Sequence, residues 1–307
     1  MTYYTSLEHA MALPVRLRRL PAIIAMTPTI FFVSVVICFG LAWTVWTSFT
    51  ASKLLPNNDF VGLQQYARLF GSDLWQMAIA NIAIFGLLFI GGCLTLGYVL
   101  AVLLDQNIRF EDGFRTVFLM SASLSFVVTG IVWQWLFDPT FGIQAAVRNF
   151  GISDFRFDWL TKEQTAIYAL VGAGIWQATG LGMVIMLAGL RGIDQDIWNA
   201  TKIDGVAKWR VYVYVIPGMI RPMILTAAVL LSLTAIKIYD LVVVMTGGGP
   251  GISTEVPALY VMDMLFQRSN LGQATAAATI MLLTIVVLVG LPWGIFRLYQ
   301  LRTAKGQ

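Results

Sequence analysis

Lys237, Tyr239 and Asp240 place an ammonium, a phenol and a carboxylate within four residues at the end of a long apolar run. Ionisable groups at the hydrocarbon edge cost a few kcal/mol, roughly 2.5–3.5 at a helix centre. Lys237 and Asp240 lie three apart and so share one face if the run is helical. They either pair with each other or face a hydrated cavity. A second cluster, Trp176, Gln177, Thr179 and Gly180, combines an aromatic, an amide, a hydroxyl and a position where a backbone can approach closely. Both clusters can bind; neither is a set for bond-breaking chemistry.

Other candidates carry less. Ser121, Ser123 and Ser125 are hydroxyls without a base, because the one histidine, His9, lies in the N-terminal tail and no lysine is buried nearby. That same shortage removes multi-histidine metal sites from the reading. Gly247-Gly248-Gly249-Pro250-Gly251 has no lysine and is not a Walker loop, which needs Gly-Lys-Ser/Thr. It reads as a tightly turned, flexible loop. Cys38 and Cys93 both fall in apolar runs and read as small buried residues, a disulfide between them being the less favoured alternative.

The elements that must hold these groups are built for lipid. Of 307 residues, 58% are hydrophobic and 12% charged, against about 25% charged in a soluble domain; mean hydropathy is +0.76. A bilayer core takes about 20 apolar residues of helix. Such runs predict about six transmembrane helices, near 22–49, 74–104, 116–137, 164–190, 217–240 and 271–297. The remainder is a tail at 1–21, a polar segment at 191–216 and a short tail at 301–307, making one membrane domain without repeats. Six spans put both termini on one side. Lys53, Arg68, Arg148, Arg156, Lys162, Lys237 and Arg268 lie opposite; the more numerous remaining Lys and Arg lie with the termini. The positive-inside rule therefore predicts cytoplasmic termini and a cytoplasmic 191–216 segment. The basic residues form no stripe, which argues against nucleic acid. The first apolar run is too long for a cleavable signal.

Within the polar segment, Ile193, Ile197, Trp198, Ala200 and Thr201 recur at helical spacing and predict a short helix with one apolar face. Asp194 or Asp196 would cap it, Gly205 would end it in a left-handed turn, and Lys208, Trp209 and Arg210 would open a second helix. Pro217, Gly218 and Pro222 then bend the path back into the membrane.

Asn199-Ala200-Thr201-Lys202-Ile203-Asp204-Gly205, followed by Trp209, Tyr212 and Pro217, resembles the coupling motif of the importer permeases of ATP-binding-cassette (ABC) transporters. Asn199 stands where that motif has Glu, Val206 where it has Ala, and Pro217 comes one residue early. Tyr239 through Pro250, Trp176 through Leu190 and the Gly62-Leu63-Gln64-Gln65-Tyr66 stretch resemble the sugar-importing members, so the likeness covers essentially the whole chain. The resemblance implies a translocation subunit in a bacterial inner membrane, not an enzyme. Its coupling residues would be Asn199, Ala200, Thr201, Asp204, Gly205, Lys208 and Trp209. Its sugar path would be lined by the Lys237–Asp240 and Trp176–Gly180 clusters, whose polar and aromatic groups suit hydroxyls and ring faces. The implied partners are a second homologous permease, an ATPase dimer that binds ATP and magnesium, an extracytoplasmic sugar-binding protein, and lipid. The rival readings are an ion-coupled secondary transporter, for which the spans before Lys237 lack acidic ion sites, and an intramembrane hydrolase, which lacks a base.

Overall fold

The computed structural model describes residues 15–106 and 108–304, with side-chain surroundings for 25–106 and 108–290. His9 and residues 305–307 lie outside the described residues, as do the side chains of Arg16, Arg18 and Arg19. The described residues are helical with no strand; an isolated bridge joins Thr50 to Phe60 in the first loop. Four helices are long and apolar enough to cross a membrane: α1 (Val15–Thr47), α3 (Asp73–Leu104), α7 (Ala166–Arg191) and α13 (Leu271–Ala304). Two bent pairs raise that to six if each is one span. They are α4 with α5 (Glu111–Ala122, Phe126–Phe137) and α9 with α10 (Lys208–Met219, Arg221–Ile236). Shorter helices fill the connections: α2 (Gln64–Phe70), α6 (Ile143–Asn149), α8 (Gln195–Ile203), α11 (Tyr239–Met245) and α12 (Pro257–Met262).

Burial identifies the centre. Within the chain 67% of the apolar stretch of α7 is buried, against 0% for α1. α7 runs along α3 and also meets α4, α5, α10 and α11. Small residues permit this approach: a Cβ on Gly97 would lie 2.9 Å from Met183 N, and one on Gly182 3.2 Å from Cys93 O. A Cβ on Gly180 would sit 2.2 Å from Phe118 O, so α4 crosses α7 backbone to backbone.

Three expectations need correcting. The run 116–137 is not one rod: it breaks at Ser123–Ser125 and bends by 95°. Ser121 and Ser123 turn their hydroxyls back to the carbonyls of Phe118 and Leu119, which offers the backbone an alternative to helix. Ser125 then caps α5 by accepting from Val127 N at 3.2 Å. The run 217–240 is likewise interrupted, by a 72° bend around Ile220 and by a turn at Lys237–Ile238. Pro222 at the start of α10 favours the first break because it brings no N–H to an earlier carbonyl. Cys38 is exposed and Cys93 buried, and both are free thiols. The 247–251 loop is tightly turned, as its glycines led one to expect, with positive φ at Gly247, Gly248 and Gly251.

Candidate functional site

The polar segment forms two short helices at one end of the bundle. Asp194 caps α8 by accepting from Asp196 N at 3.0 Å. Gly205 ends it with φ +63°. Gly205 N donates to Lys202 O and Val206 N to Thr201 O, both at 3.2 Å. That pair of bonds is the Schellman stop, which satisfies carbonyls left over at a helix end. Asp196 in the first turn and Lys202 in the last complement the helix dipole.

One face of α8 is tied down. Ile193, Ile197, Trp198 and Thr201 are half-buried, whereas Ala200, expected on this face, is exposed. The Trp198 ring meets Tyr212 with centroids 5.5 Å apart. Tyr212 in turn is held by α3 and the turn that follows it: Tyr98 donates its hydroxyl hydrogen bond to Tyr212 O, Gln106 Nε2 donates to Tyr212 Oη at 2.7 Å, and Tyr212 Oη reaches Asp105 Oδ2 at 3.4 Å. Arg191 forms an ion pair with Glu111 of α4. A cavity of about 590 Å³ lies between these supports, walled by Asp105, Glu111, Arg191, Trp198, Lys202 and Tyr212 among others. Tyr98, Asp105, Gln106 and Glu111 were not singled out from the sequence; nothing local in 98–111 announces a link to residues a hundred positions on.

The other face is open. Asn199, Ala200, Asp204, Gly205, Lys208 and Trp209 are all exposed, as four of these polar or glycine positions should be. The apolar exceptions are informative: Ile203 is 86% exposed and Trp209 58%. Trp209 lies under the Arg210 guanidinium at 5.3 Å and beside Tyr214. The helix is thus capped at both ends, with an exposed isoleucine at its tip and an exposed tryptophan just beyond.

The second candidate is more divided. Trp176 is exposed and meets Trp133 edge-on at 6.1 Å. Tyr239 and Trp133 pack on the same apolar cluster, with Phe137 and Leu241 at its core. Trp133 was not foreseen; aromatic residues in an apolar run give no sign of direction. Lys237 closes α10, while Tyr239 and Asp240 open α11, so the helical face that they were expected to share is not formed. Both Lys237 and Asp240 are exposed, and they make no ion pair within 4.0 Å. The remaining members are used by the fold. Gln177 is buried and donates to Leu124 O at 2.6 Å; Thr179 is buried and donates to Ile175 O at 2.6 Å; Gly180 carries the α4 crossing. Among the described residues no group of three or more His, Cys, Asp or Glu is placed to hold a metal ion.

Known proteins resemble this chain in sequence and arrangement. The sequence profile described as "binding-protein-dependent transport system inner membrane component" matches residues 93–296. A probable ABC transporter permease of Pyrococcus horikoshii is 37% identical over 87% of this chain and 92% of its own length. The xylose/arabinose import permease of Haloferax volcanii is 32% identical, covering 84% and 82%. The glucose import system permease of Saccharolobus solfataricus is 30% identical, covering 87% and 93%. Among solved structures, a chain of a bacterial ABC transporter involved in import of the acidic polysaccharide alginate superposes with TM-score 0.76 at 17% identity, over 91% of this chain and 96% of that one.

Proposed function

We propose, from the premise that this chain belongs to the binding-protein-dependent transport system inner membrane components, that it moves a sugar across the cytoplasmic membrane as half of a two-permease pathway. It is a permease component of such a transporter, a membrane transport subunit and not an enzyme. The cargo reading is supported by relatives that import xylose and arabinose, trehalose and maltose, or glucose.

The observation that carries the coupling reading is the form of α8. Trp198 on its inner face packs on Tyr212, which Gln106 holds just after α3, and its outer face leaves Ile203 exposed close to Trp209 of α9. A lever must be anchored to what it moves and exposed to what drives it; the Trp198–Tyr212 contact and the exposed Ile203 support that reading. A separate ATPase dimer, binding ATP and magnesium, would seat this outer face in a cleft. Its closure would then be passed through Trp198–Tyr212 to the α3 end and through Arg191–Glu111 to α4. Both termini and α8 face the cytoplasm in this reading, in keeping with the distribution of Lys and Arg.

On the opposite side an extracytoplasmic binding protein delivers the sugar. A relative in fold, the alginate transporter, is known in complex with a periplasmic protein carrying an alginate pentasaccharide. Trp176, Tyr239, Lys237 and Asp240 are the groups of this chain available to the passing sugar, by stacking and by hydrogen bonding. The decisive experiment is reconstitution with a candidate ATPase, partner permease and binding protein. ATP-dependent sugar uptake that requires all four is expected; uptake independent of the ATPase would overturn the reading.

A further inference from the structure

The glycine-rich loop that joins α11 to α12 is closed by its own bonds. The Thr246 and Thr254 hydroxyls lie 2.8 Å apart, Thr254 Oγ1 donates to Gly249 O at 2.8 Å, and Thr254 N donates to Gly248 O at 3.1 Å. From α3, Asn81 Nδ2 donates to Glu255 O at 2.9 Å and pins the end of the loop to the bundle. Gly248 has φ +93° and a backbone pressed against the Glu255 carboxyl, since a Cβ there would lie 2.9 Å from Glu255 Oε2.

Glu255 is the odd residue in this arrangement. It is only 4% exposed, its Oε1 is buried without a hydrogen-bond partner, and it forms no ion pair. The groups facing it are few. Asp263 and Arg268 act on it from the turn after α12, and Tyr260 of α12 lies close, its hydroxyl held by Gln273 of α13. α3 offers the neutral Asn81, and Glu163 stands against Gly251 at the far side of the loop. Burial pushes the Glu255 carboxyl up from 4.5 to about 7, with Asp263 adding to the effect and Arg268 opposing it.

A buried carboxylate with an unpaired oxygen is expensive, and the same group is far cheaper when neutral. We propose that Glu255 is a proton-operated latch: its neutral form seals the 246–256 loop against α3 and α12, and its ionisation releases the loop to water. The latch goes beyond the transport reading and holds whatever the cargo. Its sign follows from linkage. The closed form keeps its proton up to about pH 7, while the open, hydrated form gives it up near 4.5. Closure is therefore strongest below 4.5 and weakens by up to about tenfold per pH unit until 7, where it levels off.

Hydrogen exchange of the full-length chain in lipid nanodiscs tests this, read as protection factors so that the intrinsic pH dependence of exchange is divided out. Amides of 246–256 should lose protection as pH rises through that window, while those of α7 do not. Glu255→Gln, a neutral isostere, should keep the loop protected at every pH. Asp263→Asn, which leaves the loop itself untouched, should move the midpoint to lower pH. A pH-independent wild-type loop, the same slope in Glu255→Gln, or an unmoved midpoint in Asp263→Asn would each overturn the latch.

Discussion

Gln177 of α7 donates a 2.6 Å hydrogen bond to the carbonyl of Leu124, at the point where α4 and α5 part at 95°. The break frees backbone groups from helical pairing, and such groups need other partners. One side chain from the central helix thus closes the largest backbone defect in the bundle.

Removing that donor should destabilise the fold. Gln177→Ala leaves the Leu124 carbonyl unpaired, at a cost of about 1–3 kcal/mol. Gln177→Glu should be worse, because it removes the donor and adds a buried charge. Thermal unfolding of the purified subunit should rank the wild type above Ala and Ala above Glu. Equal midpoints would mean that the bond is incidental.

The start of α13 depends on a similar closeness. Leu271 N and Gly272 N donate to Lys53 O and Ser52 O, which ties α13 to the end of α1's loop. A Cβ on Gly272 would lie 2.6 Å from Thr50 O and 2.8 Å from Gln65 Nε2. Gly272→Val should therefore cost about 1–3 kcal/mol through overpacking. Limited proteolysis should find the 53–63 segment cut faster than in the wild type.

How much of this was legible in the sequence differs by element. Hydropathy placed α1, α3, α7 and α13 because each is an unbroken apolar run, and the α8 start and stop were readable from Asp194 and Gly205, whose side chain and backbone act locally. The bends were not. Ser121, Ser123 and Ser125 look like ordinary members of an apolar run, and the Leu124 carbonyl between them is met by Gln177, some fifty positions away. In the substrate cluster, Gln177, Thr179 and Gly180 each make a contact within the fold that their residue types alone do not announce. Side-chain type sets what a group can bind; only packing decides what it has already bound.

Gly205 has φ +63° and nothing within 4 Å of a Cβ, so its requirement is conformational, not steric. Proline there would fix φ near −65° and remove the N–H that bonds Lys202 O. Gly205→Pro should re-aim α8 while the distant core keeps its unfolding midpoint. In the reconstituted transporter, uptake should fall much further than subunit abundance. Normal uptake would show that the reversal after α8 is dispensable.

Ile203 separates docking from folding in the same helix. At 86% exposure it adds little to the subunit, and Ile203→Asp should change stability by no more than about 0.5 kcal/mol. Covered by an ATPase, a new carboxylate would be desolvated without a partner. Pull-down of the ATPase by the variant subunit should therefore drop sharply while its folding is untouched. Retained binding would place the ATPase elsewhere.

Asp240 offers the cleanest test of the sugar path because it supports nothing else. It is exposed at the start of α11 and has no ion-pair partner, so its removal strands no buried group. Asp240→Ala should leave assembly and stability within about 0.5 kcal/mol of the wild type. A carboxylate that accepts from sugar hydroxyls makes charge-assisted bonds, and losing one costs roughly ten- to a hundredfold in affinity. Uptake titrated against sugar-loaded binding protein should reveal that loss, and Asp240→Asn should recover part of it by retaining one acceptor. Wild-type uptake in both variants would remove Asp240 from the path and leave Trp176, Lys237 and Tyr239 as its remaining candidates.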